Sequence, residues 1–477
     1  MNPPSSAPPV GQEHADAMVV FGITGDLAKK MLLPALYELV RSNTLTVPVY
    51  GAGRSDWDDD RLHRHARECV EAAAGPVEEA ALTRLTGLLH YARVDYEDPV
   101  TFADLAATLR PYGFVAHYVA VPPAVYPTIA RRLGEAGLHT DARLVVEKPF
   151  GHDAASAREL QDLLLAHFPE DRLRRVDHFL GKEVVQNLLT LRFANPVIDS
   201  LLHRDRVRSV QVTMAEDFDV ADRGGFYDST GCLRDVVENH VFQTLSYFLM
   251  EAPRSAAASD ILDERTRALR AIRTVLPGDY VTGQYEGYQD TEGVAPASRT
   301  ETYTALRLFV DTPRWSGVPF TVRAGKAMAA SAIELIVEYD RAVPGYFHTR
   351  EAERAAPDLL RLRISPRPGF TFSLLSQDAG GTTELRQDDA VLDFSHLDGS
   401  DVGAYVRVLR DTLSGDPRLF VRMDMVEECW RIVGDILDPV NGPVTYPVGG
   451  WGPAEADRLV PGGHWFPLEQ VRQRDAS

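Results

Sequence analysis

Between residues 17 and 177 short apolar runs alternate with stretches of helical period, and few arrangements of a chain satisfy that alternation. "AMVVFGI", "VPVYGAG", "HYARVDY", "AHYVAV", "RLVVEKP" and "RRVDHF" are separated by segments such as 26 to 42 and 153 to 168. Strands that repeatedly give way to helices imply βα units, and βα units imply a parallel sheet covered on both faces. After about residue 177 the pattern changes. "RVRSVQVTMAEDF", "TETYTALRLFV", "AIELIVEYD" and "LLRLRIS" have the alternation of antiparallel strands, which predicts a second sheet. Residues 252–300 are polar and weakly patterned and give no clear period.

The chain has 477 residues, 44% of them hydrophobic, enough for two cores. Lys and Arg number 50 against 69 Asp and Glu, so the net charge of -19 repels nucleic acid and anionic membrane at long range. Any anionic ligand must meet a local basic pocket. Cys69, Cys232 and Cys429 stand far apart without a C-x-x-C pair, which points to neither a disulfide framework nor a zinc site, and predicts a reducing, cytoplasmic setting without a metal. "MNPPSSAPPVGQEHADA" has no apolar h-region, and no apolar run is long enough to span a bilayer. Residues 1–16 read as a disordered tail.

The first apolar run ends in "FGITGDLAKK". Glycine lets the backbone turn tightly and approach a pyrophosphate, and a helix starting near Asp26 presents N–H groups and the positive end of its dipole. Gly22, Gly25 and Ala28 have the spacing G-x-x-G-x-x-A, a departure from the common G-x-G-x-x-G. A ligand-free βα turn is the plainer alternative, less favoured at a first βα junction. After the second strand, "YGAGRSDW" offers Arg54 and Ser55 where an NAD-selective fold places a carboxylate, so NADP is favoured, while Asp56 keeps NAD open. The expected architecture is an α/β Rossmann-type dinucleotide-binding domain over 17–177, followed over 178–477 by an α+β domain with a large, mainly antiparallel sheet.

"GITGDLAKK", "VEKPFG" and "VDHFLGKE", in this order, resemble the three signature segments of the glucose-6-phosphate dehydrogenase family. The similarity continues through "DRGGFYDSTGCLRDVVENH" and "RWSGVPFTVRAGKAM" to "WRIV", and "DHFLGK" with "MAEDF" is similar to an actinobacterial branch of that family. The resemblance implies NADP-linked oxidation of a sugar at C1 to a lactone by a homodimer or homotetramer, with the second domain binding substrate and dimerising. It implies His240 as general base, Asp177 as the carboxylate partner of that histidine, and Lys148 as a residue touching cofactor and sugar. The cofactor residues implied are Gly22, Ile23, Thr24, Gly25, Asp26, Leu27, Ala28 and Lys29, with Arg54, Tyr126 and Lys148. His178 and Lys182 are implied as phosphate ligands, Glu216 and Asp235 as ligands of sugar hydroxyls, and Lys326 as a further substrate lysine. Helical spacing alone places His240 beside the apolar face of Leu233, Val236, Val237, Val241 and Leu245, where a satisfied core histidine is the plainer reading.

Three residues depart from the family pattern. Phe179 replaces a tyrosine, Ser331 stands where Arg or Lys is general, and Ser365 replaces a Gln. Losing a charged phosphate contact removes roughly 1.5–3 kcal/mol, so a different hexose or hexose phosphate is an alternative substrate, with Arg323 as a substitute cation. A catalytically silent NADP-binding sensor is the alternative from another class, opposed by Lys148, Asp177 and His240 standing together. The second, structural NADP site of animal enzymes is expected to be absent, because 331–335 lacks its basic residues.

Overall fold

The structure, a computed structural model, describes residues 13–74, 76–340, 356–377, 385–439 and 441–468. The chain divides into two compact units: one comprises Met1–Lys182, Pro253–Asp263 and Ser400–Glu427, the other Glu183–Ala252, Glu264–Gly399 and Glu428–Ser477. The observed division differs from a single cut after residue 177, because two later segments return to the first unit.

In the first unit β1 (Ala17–Phe21), β2 (Val49–Gly53), β3 (Leu89–Arg93), β4 (Val115–Val119), β5 (Ala142–Glu147) and β6 (Leu173–Val176) form one sheet with the short strand Phe420–Val421. The order from that strand is Phe420–Val421, β6, β5, β4, β1, β2, β3. All pairs among β1 to β6 are parallel, and Phe420–Val421 adds an antiparallel edge. Strand alternation sends Met18 and Val20 into one core and Val19 and Phe21 into the other, so β1 is buried on both faces. Full burial of each such side chain contributes about 1.5–3 kcal/mol. Of the predicted tail, residues 1–12 lie outside the described residues. Within residues 13–16 Ala15 is buried and its N–H donates to the Leu413 carbonyl at 2.8 Å, while the exposed Asp16 accepts at Oδ2 from the Phe114 N–H at 2.9 Å.

The second unit is built on β7 (Val207–Ala215), β8 (Tyr280–Tyr285), β9 (Tyr303–Phe309), β10 (Pro319–Gly325), β11 (Ala332–Tyr339), β12 (Leu359–Ser365), β13 (Gly369–Gln377) and β14 (Leu385–Asp393). Their order is β14, β13, β12, β11, β7, β10, β9, β8, with Val444–Tyr446 beyond β8. Its pairs are antiparallel except β7 with β10 and β8 with Val444–Tyr446. The weakly patterned stretch 252–300 holds the helix Ala258–Ala271 and β8. No described helix is long and apolar enough to cross a membrane.

Candidate active site

β1 ends in a turn that requires glycine. Gly22 has φ +82°, and a Cβ there would lie 2.4 Å from the Ala120 carbonyl oxygen. Its N–H donates to the Ala52 carbonyl at 2.9 Å, and Gly25 N–H donates back to the Gly22 carbonyl at 2.9 Å, which closes the turn. The helix over 26–41 follows directly, and its first N–H groups have no carbonyl one turn back to bond. Ile23 and Ala28 are buried, Thr24, Gly25 and Leu27 half-buried, and Asp26 and Lys29 exposed. The turn therefore shows backbone and small side chains outward, which fits the diphosphate of a dinucleotide. Arg54 is exposed just past β2, its guanidinium 6.0 Å from the Tyr96 ring centre. Burial pushes the Tyr96 phenol up to about 12.

At the carboxyl end of β5, Glu147 is buried and Lys148 half-buried, and the Lys148–Pro149 peptide is cis. The Glu147 carboxylate accepts from the Tyr118 hydroxyl at 2.5 Å and from Tyr405. Burial outweighs those bonds and raises its pKa to about 7. Tyr126 donates its hydroxyl to the Glu147 carbonyl at 2.9 Å and is only 1% exposed. Tyr126, expected among the cofactor contacts, is thus packed against β5 in the core, where it supports the strand end that carries Lys148.

Past β6, the buried Asp177 accepts the Phe179 N–H at 3.0 Å and so caps the short turn His178–Gly181. The helix Asp401–Ser414 folds back against this turn. Its Asp401 Oδ1 lies 2.6 Å from Lys182 Nζ and 3.8 Å from His178 Nε2, and the Tyr405 ring stacks on His178 at 5.6 Å and 9°. Phe179, the residue without the family hydroxyl, lies under the Lys182 ammonium at 4.9 Å. Lys148, Asp177, His178 and Lys182 thus belong to one unit with the glycine turn.

In the second unit the parallel pairing of β7 with β10 sets Ala215 opposite Gly325, which brings the next residues, Glu216 and Lys326, together as an ion pair. Lys326 Nζ also stands 4.6 Å from the Phe218 ring centre. The neighbouring Asp217 N–H donates to Ser331 Oγ at 3.0 Å, and Ser331 donates to Asp217 Oδ1 at 2.5 Å. The position where the family carries a cation is therefore a serine engaged with a carboxylate. Ser365 ends β12 and lines a cavity of about 390 Å³ with Arg363 and Arg367. Arg323, the suggested substitute for the cation missing at Ser331, is 3% exposed, held between Trp451 and Trp465 at 4.7 and 4.5 Å, with its Nε on Thr213.

Asp235 and His240 lie on Leu233–Val241, a π-helical segment that continues into the helix Phe242–Leu249. His240 is buried, and Asp235 half-buried. Sequence reasoning missed Glu147, Asp217, Asp401 and Tyr405. Glu147 was inside the quoted "VEKPFG", whereas Asp401 and Tyr405 carry no local signal.

A parallel sheet whose first βα turn is shaped for a diphosphate places the chain among the two-domain dinucleotide-binding α/β proteins. Two family descriptions then cover most of its length: "Glucose-6-phosphate dehydrogenase, NAD binding domain" matches residues 19–187, and "Glucose-6-phosphate dehydrogenase, C-terminal domain" matches 189–465. The chain belongs to the glucose-6-phosphate dehydrogenase family. It is 40% identical to glucose-6-phosphate 1-dehydrogenase 1 of Mycobacterium bovis over 95% of this chain and 96% of that protein. It is 35% identical to glucose-6-phosphate 1-dehydrogenase of Treponema pallidum over 93% of each. The crystal structure of glucose-6-phosphate 1-dehydrogenase from Mycobacterium avium matches with a TM-score of 0.87 at 40% identity, over 95% of this chain and 99% of that one. A glucose-6-phosphate dehydrogenase in complex with its substrate glucose-6-phosphate matches with a TM-score of 0.87 at 30% identity, over 96% of this chain and all of that one.

Proposed function

We propose that this chain oxidises glucose 6-phosphate at C1 to the lactone, using NADP. The observation that carries the reading is the family match across both domains, joined to a solved relative that holds this sugar phosphate. When bound, the nicotinamide supplies the hydride acceptor. Gly22 to Lys29 hold the diphosphate, and Arg54, exposed at the end of β2, meets the 2′-phosphate. His240 removes the C1 hydroxyl proton at an imidazole nitrogen, so that loss of the C1 hydride leaves a carbonyl. Asp177, by the family motif, stabilises the resulting imidazolium. Lys148 orients sugar and cofactor, His178 and Lys182 neutralise the phosphate, and Glu216, Asp235 and Lys326 hold the remainder of the sugar.

A different hexose is the second reading, and the pairing of Ser331 with Asp217 favours it, because that pair puts a carboxylate where the family has a cation. The exposed Val391 and Leu392 on β14, which ends its sheet among the described residues, support a homodimer or homotetramer. Three buried cysteines, none in a disulfide among the described residues, support a cytoplasmic setting.

The deciding experiment is reduction of NADP and of NAD by the purified chain with glucose 6-phosphate, free glucose and other hexose phosphates, with His240→Asn as the blank. Turnover with glucose 6-phosphate that His240→Asn abolishes bears out the reading. Preference for another sugar makes Phe179, Ser331 and Ser365 specificity determinants, and tight NADP binding without turnover turns the chain into a sensor.

A further inference from the structure

The segment Leu233–Val241 is π-helical over nine residues. Such a register is uncommon, although the chain also has it over Ala28–Leu32, and each of its hydrogen bonds spans one residue more than in an α-helix. Asn239 bonds into this ladder through its side chain. Its side-chain Oδ1 accepts the backbone N–H of His240 at 2.7 Å, and its Nδ2 donates to the Arg234 carbonyl at 3.0 Å. The amide is buried and inserts into the backbone ladder one residue from the histidine.

Both ends of the segment are fixed by other groups. Upstream, Cys232 N–H donates to the Glu301 carbonyl and Leu233 N–H to Glu301 Oε1, each at 3.0 Å. Downstream, the fully buried Arg265 donates to Gln243 Oε1 at 2.6 Å and Ser246 Oγ at 3.0 Å, with its guanidinium 4.3 Å from the Tyr247 ring centre. Arg192 donates to the Tyr247 carbonyl at 3.1 Å and the Met250 carbonyl at 2.6 Å. With both ends pinned, a change of register has to be taken up between them.

The register decides which side chains share a face. Asp235 and His240 are five residues apart; at about 100° per residue an α-helix would point them about 140° apart. In a π-helix the turn takes up nearly one residue more, so the two come much closer together and share a face. We propose that Asn239 is a positioning residue whose side chain holds the π register and so sets His240 on the same face as Asp235. The proposal rests on the reading of His240 as general base and Asp235 as a sugar ligand.

The test uses Asn239→Leu, which removes both bonds, and Asn239→Asp, which keeps an oxygen acceptor for the His240 N–H. Asn239→Leu is expected to lower kcat about 100-fold, the scale of an ångström-level misplacement, with NADP affinity within about twofold. The primary isotope effect with C1-deuterated substrate should rise and the acid limb of the kcat profile should move, neither of which a mere loss of folded enzyme produces. Asn239→Asp should retain roughly tenfold more activity than Asn239→Leu, and a crystal structure of either folded variant reads the register directly. The proposal is overturned by a π-helical 233–241 in Asn239→Leu, by an unchanged isotope effect, or by Asn239→Asp behaving no better than Asn239→Leu. Turnover surviving in His240→Asn would sink the general-base reading instead, and the register in the variant's crystal structure would still decide the role of Asn239.

Discussion

Lys182 Nζ and Asp401 Oδ1 lie 2.6 Å apart, so a lysine proposed for a sugar phosphate already has a carboxylate partner, supplied from 219 residues later in the chain. Lys182 is buried, whereas the Asp401 side chain is 45% exposed. The carboxylate keeps a buried ammonium satisfied, and by like charge it opposes a dianion that approaches the same nitrogen.

Asp401→Asn is therefore expected to strengthen inhibition by inorganic phosphate by about two- to tenfold at low salt, because the dianion becomes the strongest partner of Lys182. The same variant should lose about 1 kcal/mol of stability. Phosphate inhibition constants at two ionic strengths, beside a thermal melt, check both. Weaker inhibition would show that Asp401 orients the ammonium for the anion.

The first unit was largely legible because β strands buried on both faces leave continuous apolar runs, and a βα turn leaves glycines. β1 and Gly22 are both visible that way. Asp401 and Tyr405 were not, since nothing in "DVGAYVRVL" says that this helix returns to the turn His178–Gly181. The pairing of Glu216 with Lys326 depends on β7 and β10 running parallel in a mainly antiparallel sheet, an order that alternation does not encode. The π register is invisible for a related reason: apolar spacing around His240 fits an α-helix, and nothing in that spacing marks the longer turn.

Arg54→Ala tests the choice of cofactor. A guanidinium that meets the 2′-phosphate contributes about 1.5–3 kcal/mol, so the variant should bind NADP about ten- to hundredfold more weakly while its NAD affinity stays within twofold. Titration of both nucleotides by fluorescence reads the difference. Equal losses would remove Arg54 from 2′-phosphate recognition.

Gly22→Ala tests the turn itself. The new methyl would sit 2.4 Å from the Ala120 carbonyl oxygen and 2.8 Å from Val121 Cγ1, at a φ of +82°. Strain of this kind destabilises by roughly 1–3 kcal/mol, and the displaced backbone should weaken NADP and NAD alike by at least about tenfold. Binding of both nucleotides and a melt are the measurements. Unaltered affinity would show that the turn does not carry the diphosphate.

Glu147 ties stability to pH beneath Lys148. Its carboxyl faces Tyr118, Tyr405, Lys148 and Asp177, and burial raises its pKa from 4.5 to about 7. The folded chain therefore holds this proton to higher pH than the unfolded chain does. That contribution is fully present below about 4.5 and is lost as pH climbs through about 7. The displacement corresponds to about 3 kcal/mol of differential stability, an upper figure for a group with several charged neighbours. Glutamine keeps the shape and carries no titrating proton, so Glu147→Gln should gain on the parent as pH rises from 5 to 8, by roughly 2–4 °C in Tm for each kcal/mol recovered. Melting curves of the two proteins across that range decide the point: convergence toward pH 8, or a crossing, supports a carboxyl that resists ionisation, whereas parallel curves would place its pKa outside the range and leave Tyr118 and Tyr405 bonded to an ordinary carboxylate.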